Sequence, residues 1–193
     1  MTDAPVTAGA MPLAEFVRRY EEEGPFELIE GEIVAVRPSV PLPNIIAKRL
    51  LLALALLEEQ GAGVVFSELA FVLDDASDRV RGARVPDVMF YNAERFNAYR
   101  AAVPDWETRP FALVPDVVAE VVSPTDRHTD ITAKVRRYLN DGAQLVWVVD
   151  PQARVVTAHR AGSDHSLWLS GEAVLSGADV IPGFELPLPR LFG

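Results

Sequence analysis

The chain has 193 residues, 49% of them hydrophobic and 24% charged, which suits one globular domain with a full core rather than a disordered or fibrous protein. Its formal charge of −10 argues against a protein that grips nucleic acid through a broad basic surface. With no cysteine, disulfides, thiolate metal sites and thiol nucleophiles are excluded, and a reducing, cytoplasmic setting is the expectation.

Residues 1–12 are small, contain prolines and carry no basic block ahead of an apolar stretch, so they read as a flexible N-terminus without a signal peptide. Leu13, Phe16, Val17 and Tyr20 recur at helical spacing over Leu13–Glu23, and Gly24-Pro25 ends that helix. Phe26–Arg37 alternates about Gly31 and predicts a hairpin. Pro38, Pro41 and Pro43 make Ser39–Asn44 a turn, after which Ile45–Gln60 reads as a helix stopped by Gly61. The apolar run Leu50–Leu57 lies between Lys48-Arg49 and Glu58-Glu59 and falls far short of the roughly 20 residues a membrane span needs.

Val64–Leu73 reads as one strand and Asp74–Asp78 as a polar turn; Arg79, Arg81 and Arg84 then lead into a second strand, Val85–Tyr91. Residues 92–112, with Pro104, Trp106 and Pro110, read as a long connection that serves as a flap or a loop at a site. Two apolar runs follow, Val117–Val122 and Leu145–Val149, on either side of a helical pattern formed by Ile131, Val135, Tyr138 and Leu139. Strand, helix and strand in that order predict a βαβ unit with parallel strands in a covered sheet. Val155–Arg160 and Ser166–Leu169 look antiparallel, and Leu175, Val180 and Phe184 close the chain. The expected fold is a single α/β domain over residues 13–193, a mixed sheet flanked by helices.

Two carboxylates stand in apolar strand contexts, Asp87 in VPDVMF and Glu120 in VVAEVV. A charge in such a place is costly unless a partner neutralises it. If the two strands pair, alternation brings both acids to one face. Together with a main-chain carbonyl such as that of Val121 they would form a hard-oxygen site for Mg²⁺ or Mn²⁺. Lys134 lies between Ile131 and Tyr138 on the inner helix face and is the lysine such a site would use against a phosphodiester. Each residue also has an ordinary explanation, since Pro-Asp is common in turns and a helical lysine is commonly solvated or paired, here with Asp130. The set carries more weight than its members. Asp116, four residues before Glu120 and so about 13 Å away along a strand, reads as structural. Glu27 and Glu68 are candidate additional ligands, and Arg79, Arg81 and Arg84 a candidate phosphate-facing strip or a solvated loop. His128, His159 and His165 lack metal-ligand spacing, and Ser123 has no Ser-His-Asp partners.

Pro86-Asp87, Glu120-Val121-Val122-Ser123-Pro124, Lys134 with Tyr138 and Gly142, and Val146–Pro151 together resemble the Uma-two family of restriction-endonuclease type, in the PD-(D/E)xK nuclease superfamily. The resemblance extends to Phe26–Glu32 and to Pro182-Gly183-Phe184, and so runs from about Leu13 to Phe192. It implies a restriction-endonuclease-like core with Asp87 and Glu120 as metal ligands and Lys134 as the catalytic lysine. Orthodox superfamily members place lysine two residues after the acid, where this chain has Val122, and many relatives have histidine where it has Asn44. The implied activity is Mg²⁺-dependent endonucleolytic hydrolysis of DNA by a homodimer. A nuclease-fold module retained for binding or assembly is the alternative, toward which the charge of −10 and Asn44 lean, and action on another phosphate ester is a third.

Overall fold

The computed structural model describes residues 9–36, 40–74 and 78–193. In chain order its first half runs β1 (Met11–Pro12), α1 (Leu13–Glu23), β2 (Phe26–Ile29), β3 (Glu32–Ala35), α2 (Pro41–Glu59), β4 (Gly63–Phe66), β5 (Phe71–Asp74) and β6 (Arg79–Arg84). β7 (Val88–Asn92), α3 (Ala93–Ala102), a 3-10 turn at Trp106–Thr108, β8 (Val117–Val121), α4 (His128–Asp141) and β9 (Leu145–Asp150) follow. The chain closes with β10 (Val155–Arg160), β11 (Ser166–Ser170), β12 (Val174–Ser176), β13 (Glu185–Pro187) and α5 (Leu188–Phe192). These elements make the mixed α/β architecture expected from the sequence, and they group into two compact units.

The first unit takes residues 1–38, 69–85 and 103–114, as far as these are described. Here β6 is the hub of an antiparallel sheet, pairing with β1, β2 and β5, while β3 extends it beyond β2. The β2–β3 hairpin turns through Glu30 and Gly31, both at positive φ (53° and 87°), which is the type I′ geometry that matches strand twist. α1 lays Phe16 against Phe26 with ring centroids 5.4 Å apart, and these pack with Leu28, Val72, Val80 and Ala83.

The second unit takes residues 39–68, 86–102 and 115–193. Its six-stranded sheet has the order β11-β10-β9-β8-β7-β4, and only β8 and β9 run parallel, joined by α4 as the βαβ reading requires. Period-2 alternation divides β8 between two layers. Val117, Ala119 and Val121 meet Ile46, Leu50, Leu54 and Leu57 of α2, with Trp147, Leu175, Phe184 and Leu191 in the same cluster. Glu120 therefore projects from the other face, the one α4 covers with Val135 and Tyr138. α4 ends at Gly142, whose φ of 118° and N–H bonds to the Tyr138 and Leu139 carbonyls form a left-handed cap.

Several elements depart from the sequence expectation. The helix begins at Pro41, not Ile45, because the first turn needs no N–H donors and so accepts Pro41 and Pro43. The stretch 64–73 is two strands in different sheets, broken where Glu68 takes φ 54°. Arg79–Arg84 is a strand and no loop. Residues 92–112 are not a long flap, since α3 and the 3-10 turn occupy most of them. Met11–Pro12 pairs with β6, so the flexible start expected for 1–12 does not reach that far; residues 1–8, and parts of the turns expected at 39–44 and 74–78, lie outside the described residues. Among the described residues no helix is long and apolar enough to cross a membrane.

The β4–β7 pairing, Val64↔Tyr91 and Phe66↔Met89, secures the strand that follows Asp87, and it depends on Gly63. A Cβ there would overlap the Tyr91 carbonyl oxygen and the Phe90 ring. Gly63→Ala should therefore lower stability by about 1–3 kcal/mol in urea unfolding; an unchanged midpoint would show that β4 can shift without cost.

Candidate functional site

β7 and β8 are antiparallel with Val88 opposite Ala119, so the next position outward sets Asp87 opposite Glu120. Residues directly opposite share a face, and the two acids converge there as the alternation argument requires. Asp87 is not itself in a strand but stands one residue ahead of β7. Its Oδ2 accepts a hydrogen bond from the Val121 N–H at 2.6 Å. That bond indicates which edge of β8 Val121 addresses. The Val122 N–H binds the Val149 carbonyl of β9, so the main-chain groups of Val121 face the opposite edge, toward Asp87.

Glu120 is 4% exposed, and both of its oxygens are engaged. Oε2 lies 2.8 Å from Lys134 Nζ, and Oε1 accepts a short hydrogen bond from the Tyr138 hydroxyl. Lys134 and Tyr138 are four apart on α4, so both reach the same strand residue from one helix face. Lys134 thus pairs with Glu120 rather than Asp130. The sequence marks Tyr138 as a core position on the inner helix face and as part of the family resemblance, not as a partner of Glu120. The signal that could have found it is its i,i+4 spacing from Lys134, which puts a phenol within reach of the same acid.

Asp87 carries the electrostatic cost of this arrangement. Desolvation pushes its carboxyl up from the ordinary value near 4 to about 7, with help from the charges of Glu120 and Glu68 and against the Val121 N–H and Lys134. Glu68 belongs to the same neighbourhood, its N–H donating to the Pro86 carbonyl at 3.2 Å, although its side chain is exposed. Glu27 sits in the first unit, buried on β2, where Oε1 accepts from the Val85 N–H at 3.3 Å.

The three arginines do not make one strip. Arg79 donates to the Ala10 carbonyl, and Arg84 is buried with Nη1 2.7 Å from the Leu28 carbonyl oxygen. Arg81 alone of the three is exposed; alternation sets it on the face of Arg79, which is held at the Ala10 carbonyl, and opposite Arg84. Asp116 is structural in its contacts, fully buried and accepting from the Asn92 N–H (2.8 Å), Arg95 Nη1 (2.6 Å) and Gln144 Nε2 (2.7 Å). His128, His159 and His165 line a groove of about 1160 Å³ that Asp87, Glu120 and Lys134 do not line. Among the described residues no three or more His, Cys, Asp or Glu side chains gather as a metal cluster.

The raised carboxyl of Asp87 has a consequence for stability. Between about pH 4 and pH 7 the folded protein keeps a proton at Asp87 that the unfolded chain has released, so stability falls as pH rises through that window and levels off above it. Asp87→Asn removes this titration while keeping an acceptor for Val121. In chelator it should exceed wild type at pH 8 by on the order of 2 kcal/mol, with the advantage vanishing near pH 4. Urea unfolding of both proteins from pH 4 to 8 measures this, and parallel profiles would contradict it.

No curated protein matches the chain. A crystal structure from Anabaena variabilis ATCC 29413, described as a putative nuclease belonging to DUF820, shares the fold: it aligns over 94% of this chain and 97% of its own, with a TM-score of 0.75 at 22% identity. The model of the Uma2 family, described as "Putative restriction endonuclease", matches residues 13–189. Spanning nearly the whole sequence and all of Asp87, Glu120 and Lys134, that match places the chain in the Uma2 family.

Proposed function

We propose that this protein is a divalent-metal-dependent endonuclease that hydrolyses phosphodiester bonds, with DNA as its substrate. The observation that carries the reading is the convergence of Asp87 and Glu120 from opposing register positions, one carboxyl raised to about 7 and the other paired with Lys134. Among the described residues Lys134 is the one cation paired here with two acids that raise each other's proton affinity, and family membership supports the nuclease class.

The donor set suits Mg²⁺ or Mn²⁺ better than a softer ion. It offers two carboxylates, and the Val121 carbonyl on the same edge of β8, with no thiolate or imidazole in the set. Mg²⁺ is commonly held by one or two carboxylates with water completing its shell, so the lack of a third acidic side chain does not count against it. Bound there, the ion supplies Lewis-acid polarisation of a phosphate and a more acidic coordinated water. Asp87, one residue ahead of β7, and Glu120, in β8, hold hard oxygens on one face of two paired strands. Lys134 brings a cation on a flexible stem from α4, able to orient a water or balance negative charge developing on the phosphate. Arg81 is the one arginine of the three with the exposure to meet a phosphate from solvent.

The net charge of −10 favours the alternative of a nuclease-fold module that only binds or assembles, and one experiment separates the two. Calorimetric titration with Mg²⁺ and Mn²⁺ should give binding by wild type that is sharply weakened in Asp87→Asn and Glu120→Gln. Cleavage of plasmid DNA with added Mg²⁺ should be lost in both and fall on the order of 10²–10³-fold in Lys134→Ala, with metal binding retained. Equal metal affinity in wild type and the two acid variants would remove the site, and a fully active Lys134→Ala would remove the lysine from it. Two strands of a duplex call for two such sites, so sedimentation of the active species is expected to give a homodimer.

A further inference from the structure

The two partners of Glu120 differ in how firmly they are held. Tyr138 is 1% exposed, with its ring buried between α4 and the sheet and its hydroxyl on Oε1. A buried phenol has to keep a hydrogen-bond partner, and its two side-chain torsions leave it little room to find another. Lys134 has 29% of its side chain exposed and reaches Oε2 along a four-carbon stem. Its ammonium can return to water once another cation takes its place on Oε2. A carboxylate bound on one side by a rigid neutral donor and on the other by a mobile cation can exchange only the second.

We propose that Tyr138 is a positioning residue that pins Oε1 of Glu120, so that Oε2, the oxygen bound by Lys134, is the one that meets an incoming divalent cation. This rests on the metal-binding reading of the site. Two consequences of opposite sign follow. Without the hydroxyl, Glu120 loses its fixed orientation and the cation loses a preformed ligand. Without the lysine, Oε2 is released and the site sheds a positive charge.

The test is Mn²⁺ binding by calorimetry to wild type, Tyr138→Phe and Lys134→Met, alongside thermal unfolding of each. Tyr138→Phe keeps the ring and should bind Mn²⁺ roughly 10-fold more weakly, the usual effect of removing a hydrogen bond to a metal-ligating carboxylate. Lys134→Met should bind no more weakly than wild type, and more tightly as the competing charge is removed. Mg²⁺ should also produce a near-ultraviolet tyrosine difference signal in wild type that is missing in Tyr138→Phe. A Tyr138→Phe protein with wild-type Mn²⁺ affinity, whatever its melting temperature, overturns the inference and makes the hydroxyl merely structural. Weaker binding by Lys134→Met overturns it too, by showing that Oε2 is not exchangeable. A wild type that binds no Mn²⁺ overturns the metal reading itself, whereas wild-type binding that both variants leave unmoved overturns only the role of Tyr138.

Discussion

Glu120 is an ionisable group in a strand whose other four residues are buried alanine and valines, and the chain must neutralise it there or lose the strand. Removing a carboxylate from water costs several kcal/mol unless its lone pairs are satisfied. Lys134 and Tyr138, four residues apart on one helix, each bind one of its oxygens. The βαβ unit thus does more than connect two parallel strands. Its crossover helix has to sit over β8 with one face turned inward, because that is where the charge is.

The same alternation that buries Glu120 protects the rest of the fold from it. Val117, Ala119 and Val121 turn to the α2 side and join a layer of apolar side chains that includes Trp147, stacked on Phe184 at 5.5 Å. The charge of Glu120 is left to the α4 side. A sheet with one apolar layer and one layer interrupted by a charged cluster keeps most of its burial energy. A one-residue slip of β8 would exchange the two and put Glu120 among the leucines of α2.

The acids of this unit separate by what they are given. Asp116 receives three donors, among them the Arg95 guanidinium, and it ties the end of β7 and the start of α3 to the turn before β9. Asp87 receives one N–H, is desolvated and feels the charges of Glu120 and, more weakly, Glu68, and its carboxyl rises to about 7. A group stabilised by its surroundings reads as architecture. A group that its surroundings strain, beside a paired lysine, is where perturbed acids collect at functional sites.

Much of this was determined by the sequence alone. The apolar runs around a helical pattern required βαβ, a mid-strand glutamate required a partner, and Lys134 fell on the inner face by counting residues. These are local properties, set by the 2.0 and 3.6 residue periods. The helix α3 was hidden because only Phe96 among its residues is buried, so it has no apolar stripe to read. The break at Glu68 was hidden because residues 64–73 look continuous until their two halves find different partners, β7 and β6. The register that sets Asp87 opposite Glu120 and the hydroxyl of Tyr138 on Oε1 were decided only by tertiary structure. Both depend on which segments, 30-odd and 18 residues apart, come to lie against each other, and no local period records that.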